Sequence, residues 1–357
     1  MWNITSPVSA EALLKRATTP VYGEEAKRLI ENRTALVTGA GGSIGSDIVR
    51  QLHLLKAASV ICVDNNEYAL YMLERELTGT ALLVDKTMVL ADIRDLHTLE
   101  EIVDEHRPEI VFHAAACKHL PLLERSPNMA VVTNVLGTYN VAEACVNSGV
   151  QRLVNISTDK ASNPTSVLGV SKRLAEIIIQ SYAGQGMLTA SVRFGNVFAS
   201  RGSFIETLTW QVANDKPVTL TDEAMTRFFM TIPQAVGLVI EAAVMANDGN
   251  TFVLNMGDSY RIKDIIQRHA ETIGAHPEII VTGMRPGEKL DETLFDVGET
   301  RTPTRHPAIS MVAVAEPISL NDILNVCMAA KGASASKIRS LLFGLIVHPT
   351  TSMAMEV

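Results

Sequence analysis

The chain has 357 residues, 47% of them hydrophobic and 20% charged, a composition typical of a globular protein with one large domain or two modest ones. Its formal net charge of -8 argues against nucleic acid as a partner, because a surface that follows phosphates is normally basic. The four cysteines show no C-x-x-C spacing, which indicates free thiols in a reducing compartment.

The two ends of the chain lack the patterns of targeting and membrane segments. The N-terminal stretch MWNITSPVSAEALLKR has no apolar core of the kind that signal peptides carry. The apolar run LLFGLIV at 341–347 is too short to cross a bilayer. We therefore expect a cytoplasmic protein without a membrane span.

A strand–helix alternation begins at residue 34. Short apolar runs predict six β-strands, at 34–40, 58–65, 86–93, 109–116, 151–158 and 188–194. Amphipathic segments between them predict helices, so the pattern indicates βαβ units. The expected fold class is α/β, a Rossmann-type doubly wound parallel sheet.

The pattern divides the chain into four parts. Residues 1–33 form an N-terminal extension, and residues 34–200 form the Rossmann domain. Loop signals such as NDKP and GMRPGEK favour a smaller substrate-binding lobe at 201–315, with the possibility that part of it returns to the Rossmann sheet. Residues 316–357 comprise a helix, predicted by SLNDILNVCMAA, and a tail.

A glycine-rich run, VTGAGGSIGS, joins the first strand to the first helix of the alternation. The spacing of Gly39, Gly42 and Gly45 permits a tight turn and lets the backbone approach a pyrophosphate at the helix N-terminus. Asp64 ends the second strand roughly 20 residues later, where a carboxylate binds the ribose hydroxyls and repels a 2′-phosphate. The sequence therefore predicts NAD as cofactor and disfavours NADP.

Further cofactor contacts are predicted around this run. They are Ser43, Ile44, Asp92, Ile93, Ala114 and Ala115. Asp92 is placed to touch the adenine edge, but it fits equally well as the cap of the helix that begins in RDLHTLEEI.

Several motifs occur in order along the chain: TGAGGSIGS, HAAACKHLPLLE, STDKASNPT, SKRLAE, VRFGNV, MTRFFMT and RPGEKL. Together they resemble the extended short-chain dehydrogenase/reductases of polysaccharide biosynthesis, the UDP-N-acetylglucosamine 4,6-dehydratase group. The resemblance covers roughly residues 9–295. The stretch AEALLKRATTPV also resembles the segment that follows the membrane-embedded region in long members of the group.

The resemblance implies a lyase that removes water from a nucleotide sugar without net redox change. Hydride leaves C4 for NAD, a base takes the C5 proton, an acid protonates the departing 6-hydroxyl, and the hydride returns to C6. Family members often assemble as dimers or higher oligomers, so a homo-oligomer is expected.

The triplet Thr158-Asp159-Lys160 follows the fifth strand, where ligands bind in such sheets. We expect Thr158 to hydrogen-bond the C4 oxygen, Asp159 to be the protonated acid at C6, and Lys160 to be the neutral base at C5. A neutral Lys160 requires a pKa lowered by burial and a nearby cation. The resemblance assigns the same roles; the alternative is an exposed ion pair.

Lys172 is expected to hold the nicotinamide ribose. It corresponds to the Lys of the Tyr-x-x-x-Lys pair of short-chain dehydrogenases, but the Tyr position is Leu168, which cannot transfer a proton. We hypothesise that a water or the ribose hydroxyl, polarised by Lys172 and Thr158, relays the C4 proton.

Other residues are expected on the substrate side. Arginines suit a diphosphate because the planar guanidinium can bind two oxygens at once. Asn134 is also expected to fix the helix behind the catalytic loop, and an Arg285–Glu288 salt bridge is the alternative for that pair. The substrate-side residues are Lys118, Asn134, Arg193, Asn196, Thr221, Arg227, Arg285 and Glu288, with His119 a weaker candidate.

Two other functions remain open from the sequence. A 4-epimerase or a 5-epimerising dehydratase would share the hydride step at C4. A catalytically silent protein that binds NAD or a nucleotide sugar and acts as a regulator is suggested by Leu168, although the complete Thr158-Asp159-Lys160 triplet argues against it.

Overall fold

The computed structural model of the chain describes residues 9–14, 22–296, 298–313 and 318–346. Parts of the expected N-terminal extension and C-terminal tail therefore lie outside the described residues, as does Val347 of the apolar run at 341–347. None of the described helices is both long and apolar enough to cross a membrane.

The strands of the described residues follow the predicted alternation. In chain order they are β1 (Thr34–Thr38), β2 (Ser59–Asp64), β3 (Met88–Leu90), β4 (Ile110–His113), β5 (Arg152–Ile156), β6 (Leu188–Arg193), β7 (Asn196–Val197), β8 (Val218–Leu220), β9 (Thr226–Arg227), β10 (Phe229–Met230), β11 (Asn250–Leu254), β12 (Tyr260–Arg261), β13 (Ile279–Val281), β14 (Thr300–Pro303) and β15 (Ile309–Ala313).

The helices alternate with these strands. They are α1 (Ala10–Leu14), α2 (Glu24–Ile30), α3 (Ser43–Leu54), α4 (Glu67–Thr78), α5 (Leu96–His106), α6 (Leu120–Arg125), α7 (Pro127–Met129), α8 (Leu136–Asn147), α9 (Val167–Ser181), α10 (Phe204–Ala213), α11 (Ile232–Met245), α12 (Ile262–Thr272), α13 (Leu320–Ala330) and α14 (Ala335–Ile346). A π-helical segment, Ala130–Val135, precedes α8, and a 3₁₀ turn, Asp159–Ala161, follows β5.

Nine strands form the central sheet, in the order β14-β15-β11-β6-β5-β4-β1-β2-β3. The run from β3 to β11 is parallel, and β15 and β14 add an antiparallel edge. The strand order reverses between β1 and β4, which is the switch point where ligands bind in doubly wound sheets. All six predicted strands are present, so the predicted α/β fold is confirmed.

Apolar side chains cover both faces of the sheet. One face packs against α3 and α11, whose stripes include Ile48, Leu52 and Val239. The other face packs against α5, α8 and α9. α13 and α14 lie over α9, which is why 13 of its 15 residues are buried. The helix predicted from SLNDILNVCMAA is α13, and it is confirmed.

A smaller cluster of elements stands over the carboxyl ends of the strands. It combines α10 and α12 with short strand pairs, β8 with β13 and β9 with β12, around a core that includes Ile205, Leu220 and Ile265. β11, β14 and β15 belong to the main sheet although they follow residue 200. The chain therefore passes from the sheet to this lobe and back, and the boundary at residue 200 stays a prediction.

Candidate active site

A cleft of about 1360 Å³ opens between the carboxyl ends of the central strands and the smaller lobe. Most of the site residues expected from the sequence line it together. They are Gly39, Gly42, Ser43, Ile44, Gly45, Ala114, Lys118, His119, Thr158, Lys160, Lys172, Asn196, Thr221, Arg227, Arg285 and Glu288. The expected residues that do not line it are Asp64, Asp92, Ile93, Ala115, Asn134, Asp159 and Arg193.

The glycine loop forms an open backbone cradle at one end of the cleft. Gly39 has φ +67°, and a Cβ there would lie 2.7 Å from the Cα of Ala115. A Cβ on Gly45 would lie 2.1 Å from the carbonyl oxygen of Gly39. α3 begins at Ser43, so its unpaired N–H groups face this cradle, which suits a pyrophosphate.

Asp64 supports the cradle from the end of β2. Its Oδ2 accepts a hydrogen bond from the Gly41 amide at 2.9 Å, and its Oδ1 accepts one from the Asn66 amide at 2.9 Å. Asp64 thus fixes the glycine loop relative to β2, while Ala115 packs against Gly39 through its backbone.

Asp92 pairs with its neighbour Arg94, whose Nε donates to Oδ1 at 2.9 Å. Hydrogen bonds from the Arg94 side chain lower the pKa of Asp92 to about 2. The alternative prediction that Asp92 caps the following helix is wrong, because Asp95 is the residue that caps α5. Ile93 is buried in the core against Gly137, a position that explains why it is absent from the cleft wall.

The triplet after β5 is held in a tight 3₁₀ turn. Thr158 Oγ1 lies on the cleft wall and donates to Asp159 Oδ1 at 2.9 Å. Lys160 Nζ donates to the same Oδ1 at 3.0 Å and to Asn196 Oδ1 at 3.4 Å. Asp159 itself is fully buried behind Thr158 and Lys160, so neither charged side chain of the pair extends into solvent.

The charge expected on Lys160 was wrong. Burial acts to lower the pKa of Lys160, but the carboxylates of Asp159 and Glu292 outweigh it and raise the pKa above its ordinary value. The sequence suggested a neighbouring cation as the dominant influence; Arg227 does lower the pKa, but it is the weaker effect. Lys160 is therefore an ammonium in the free protein.

Lys172 and Leu168 lie on the face of α9 that borders the cleft. Burial lowers the pKa of Lys172 to about 8, with Glu176 acting in the opposite direction. Burial, followed by the charge of Lys172, lowers the pKa of His113 to about 3, so this imidazole is neutral. The position that corresponds to the Tyr of the Tyr-x-x-x-Lys pair is thus occupied by an apolar side chain, Leu168, that reaches the cleft.

Arg193 does not face the cleft, and its expected contact with substrate is wrong. It is fully buried, with Nε 2.7 Å from Glu176 Oε1 and Nη1 2.8 Å from Glu299 Oε2. Arg173 pairs with Glu299 at 2.6 Å, and Ser157 Oγ donates to Glu176 Oε1 at 2.5 Å. Two arginines and two glutamates therefore form a buried, charge-balanced network beside the 3₁₀ turn Asp159–Ala161.

Asn134 is also buried away from the cleft. Its side chain accepts from the Cys117 amide at 2.8 Å and donates to the Cys117 carbonyl at 3.0 Å and to Ser171 Oγ at 3.0 Å. It ties the π-helical segment to α9 and to the strand-end loop at Cys117. This is the helix-fixing role expected for Asn134, and the substrate contact is not seen.

The two arginines expected at the diphosphate have other partners. Arg227 donates to the backbone carbonyls of Lys289 and Leu290, each at 2.9 Å. Arg285 Nε donates to Glu288 Oε1 at 2.9 Å, which is the salt bridge that the sequence left as the alternative. Both arginines nevertheless border the cleft.

Sequence reasoning missed two charged residues of the cleft. Glu292 has Oε1 3.5 Å from Lys160 Nζ. Arg201 donates from Nη1 to the Gly41 carbonyl at 2.6 Å, and its own carbonyl accepts from Lys118 Nζ at 2.6 Å. Glu292 follows the RPGEKL motif by only two residues, so extending that motif would have found it; Arg201 carried no signal beyond its closeness to Asn196.

Comparison with known proteins agrees with this architecture. The family model described as "Polysaccharide biosynthesis protein" matches residues 35–314. The chain is similar to the capsular polysaccharide biosynthesis protein CapD of Staphylococcus aureus, with 41% identity over 83% of this chain and 51% of that protein. It is also similar to a UDP-glucose 4-epimerase of Rickettsia felis, with 34% identity over 75% of this chain and 79% of the epimerase.

Solved structures show the same fold. Pen from Bacillus thuringiensis has 31% identity and a TM-score of 0.73, over 79% of this chain and 90% of Pen. The UDP-glucose 4-epimerase of Thermus thermophilus, solved in complex with NAD, has 26% identity and a TM-score of 0.58, over 73% of this chain and 90% of that protein. The chain spans about half the length of CapD.

Proposed function

The chain belongs to the polysaccharide biosynthesis family of extended short-chain dehydrogenase/reductases, and from this premise we propose that it is a nucleotide-sugar 4,6-dehydratase. The proposed substrate is UDP-N-acetylglucosamine or a close relative, and the product is a 4-keto-6-deoxy sugar nucleotide. The observation that carries the proposal is the contact of 3.0 Å between Asp159 and Lys160 at the wall of the cleft.

We propose NAD as the cofactor. The backbone cradle at Gly39 and Gly45 fits a pyrophosphate, and a Cβ at either glycine would overlap the backbone that forms it. The similar epimerase of Thermus thermophilus was solved in complex with NAD. NAD, when bound, supplies the hydride acceptor for C4 oxidation. Within the chain, the α3 N-terminus would bind the pyrophosphate, and Lys172 would bind the nicotinamide ribose.

Asp159 and Lys160 would handle both protons of the dehydration. Lys160 Nζ donates a proton in a hydrogen bond of 3.0 Å to Asp159 Oδ1. Moving that proton to Asp159 produces the acid and the neutral amine that elimination needs. Lys160 then takes the C5 proton, the electron pair of that bond forms the C5–C6 double bond, and the C6 oxygen leaves as water with the proton of Asp159. The pair ends as it began.

The hydroxyl of Thr158 gives the buried Asp159 a connection to the cleft. It bonds Asp159 Oδ1 at 2.9 Å while it faces the cleft, so it can pass the proton to the departing oxygen or bind the C4 oxygen. With Leu168 unable to accept a proton, the C4 hydroxyl proton would pass to a water or ribose hydroxyl held by Lys172 and Thr158.

The test is to incubate the protein with UDP-N-acetylglucosamine and NAD and to identify the product by NMR. We expect a 4-keto-6-deoxy sugar from the wild type and none from Lys160→Met. A control variant, Lys337→Met, changes an exposed lysine of α14 and should leave the product unchanged. Binding without any conversion would contradict the proposal and would favour the silent regulator.

The second candidate is a 4-epimerase, which the similarity to the epimerase of Rickettsia felis favours. An epimerase would return a C4 epimer that keeps its 6-hydroxyl, and a 5-epimerising dehydratase would return a 4-keto-6-deoxy sugar inverted at C5. The same NMR spectra distinguish these products. Assembly as a homo-oligomer and residence in the cytoplasm stay predictions.

A further inference from the structure

Glu292 is a buried carboxylate at the wall of the cleft. Its side chain is 4% exposed, and Oε1 lies 3.5 Å from Lys160 Nζ. Oε2 lies 4.0 Å from Lys289 Nζ and has no hydrogen-bond partner among the described residues, although the atom is buried. Burying a carboxylate in this way is costly unless nearby cations compensate it.

The compensating charges come from several elements. Lys160 is contacted by Asp159 in its own 3₁₀ turn, by Asn196 in β7 and by Glu292 after β13. The cations near Lys160 and its two carboxylates are Lys289, three residues before Glu292, and Arg227 in β9. Lys160 therefore stands between two carboxylates, and only one of them, Asp159, has a place in the proposed elimination.

We propose that Glu292 is a positioning residue for the dehydration: its carboxylate holds the Lys160 side chain at the cleft wall and stabilises the proton that Lys160 takes from C5. The catalytic role of Lys160 rests on the proposed function, whereas the link between Glu292 and Lys160 does not. In this proposal the protons of the elimination pass only between Lys160, Asp159 and the substrate.

The Glu292 carboxylate makes Lys160 a stronger base because it stabilises the protonated amine. Loss of the Glu292 charge removes one of the two carboxylates that raise the pKa of Lys160, and the opposing effects of burial and Arg227 remain. The pH at which Lys160 is half-protonated should therefore fall. If the rate depends on the proton that Asp159 and Lys160 share, the plot of rate against pH is bell-shaped, and both of its limbs should move to lower pH.

The first experiment measures the Lys160 amine without turnover. Acetic anhydride acetylates an amine only in its neutral form. Acetylation of Lys160 is measured over a pH series by mass spectrometry of its peptide, and it gives the pH at which Lys160 is half-protonated. We expect Glu292→Gln to lower this pH by about one unit. Asp291→Asn is the matched control: Asp291 is exposed and bonds Thr226, so its substitution should cause no shift.

The second experiment measures turnover of the same variants. We expect the optimum for formation of the 4-keto-6-deoxy product to move to lower pH in Glu292→Gln and to stay unchanged in Asp291→Asn. If Glu292→Gln does not fold, Glu292→Asp takes its place. The shorter side chain keeps the carboxylate but moves it away from Lys160, so the acetylation curve should shift to lower pH by a smaller amount.

The outcomes separate the two proposals. An unchanged acetylation curve in Glu292→Gln, or in Glu292→Asp where only that variant folds, overturns the role of Glu292 whether or not the wild type dehydrates its substrate. A shifted curve in a protein whose wild type yields no dehydrated sugar supports the link to Lys160 and overturns the proposed function instead.

Discussion

Leu168 and Lys172 lie one turn apart on the same face of α9, and both side chains border the cleft. A tyrosine at 168 would have a phenol beside the Lys172 ammonium, which would lower the phenol pKa and create a base. Here the ammonium has an apolar neighbour. Under the proposed function, deprotonation of a C4 hydroxyl would depend on Lys172 acting through a smaller bridging group.

Replacing Lys172 should disable this step. We expect Lys172→Met to slow the reduction of NAD in a single turnover by about 100-fold or more, because both the ribose contact and the local positive charge are lost. The absorbance of NADH after rapid mixing with UDP-N-acetylglucosamine measures the rate. Lys337→Met serves as the control, and an unaffected rate in Lys172→Met would rule out the relay.

The same step should depend on pH. Burial lowers the pKa of Lys172 to about 8, so the side chain is an ammonium below that pH and a neutral amine above it. If the positive charge is what promotes oxidation, single-turnover NAD reduction should decline as the pH rises through about 8. A rate that instead increases over this interval would indicate that Lys172 acts as a neutral base.

The glycine cradle should not tolerate a methyl group. A Cβ on Gly45 would lie 2.1 Å from the carbonyl oxygen of Gly39, and both groups belong to the backbone. We expect Gly45→Ala to weaken NAD binding about 5- to 150-fold, since relieving such an overlap costs about 1–3 kcal/mol. Calorimetric titration with NAD measures the affinity. Gly344→Ala, a position with no heavy atom within 4 Å of the new Cβ, should bind as the wild type does.

The buried ionic network should govern stability at low pH. Burial opposes ionisation of Glu299, but Arg193 and Arg173 outweigh it and hold the pKa of Glu299 at about 2. Because this pKa is depressed, its contribution to stability is present above the ordinary glutamate range and is lost as the pH falls toward 2.

Removing this charge should therefore be costly at neutral pH. We expect Glu299→Gln to lower the free energy of unfolding by about 3 kcal/mol, because it leaves part of Arg193 buried without its partner. The difference from the wild type should shrink as the medium is acidified. Urea denaturation at several pH values measures both effects, with the exposed Glu271→Gln as the control; a constant difference at all pH values would contradict the assignment.

The fold and the centre of the site could be predicted from the sequence because their signals are local. Each signal is contained in a short stretch of consecutive residues. This is true of every one of the six apolar runs, of the glycine spacing and of the Thr158-Asp159-Lys160 triplet. Arg193 could not be predicted in the same way. Its partners Glu176 and Glu299 are 17 and 106 residues away in the chain, so only the folded sheet shows that its charge is already neutralised.

The charge of Lys160 was missed for a related reason. Burial alone would have lowered its pKa as the sequence suggested. The largest opposing effect comes from the adjacent Asp159, and the next comes from Glu292, more than a hundred residues later in the chain. The balance between burial and partner charge thus depends on contacts between the sheet and the smaller lobe.

The buried network of Ser157, Arg173, Glu176, Arg193 and Glu299 adjoins the cleft at two points of the chain: Ser157 precedes Thr158, and Lys172 precedes Arg173. Each anchored residue thereby restrains the backbone of a neighbour that lines the cleft. Substituting Thr158 or Lys172 should therefore alter the cleft while the ion pairs of the network stay in place.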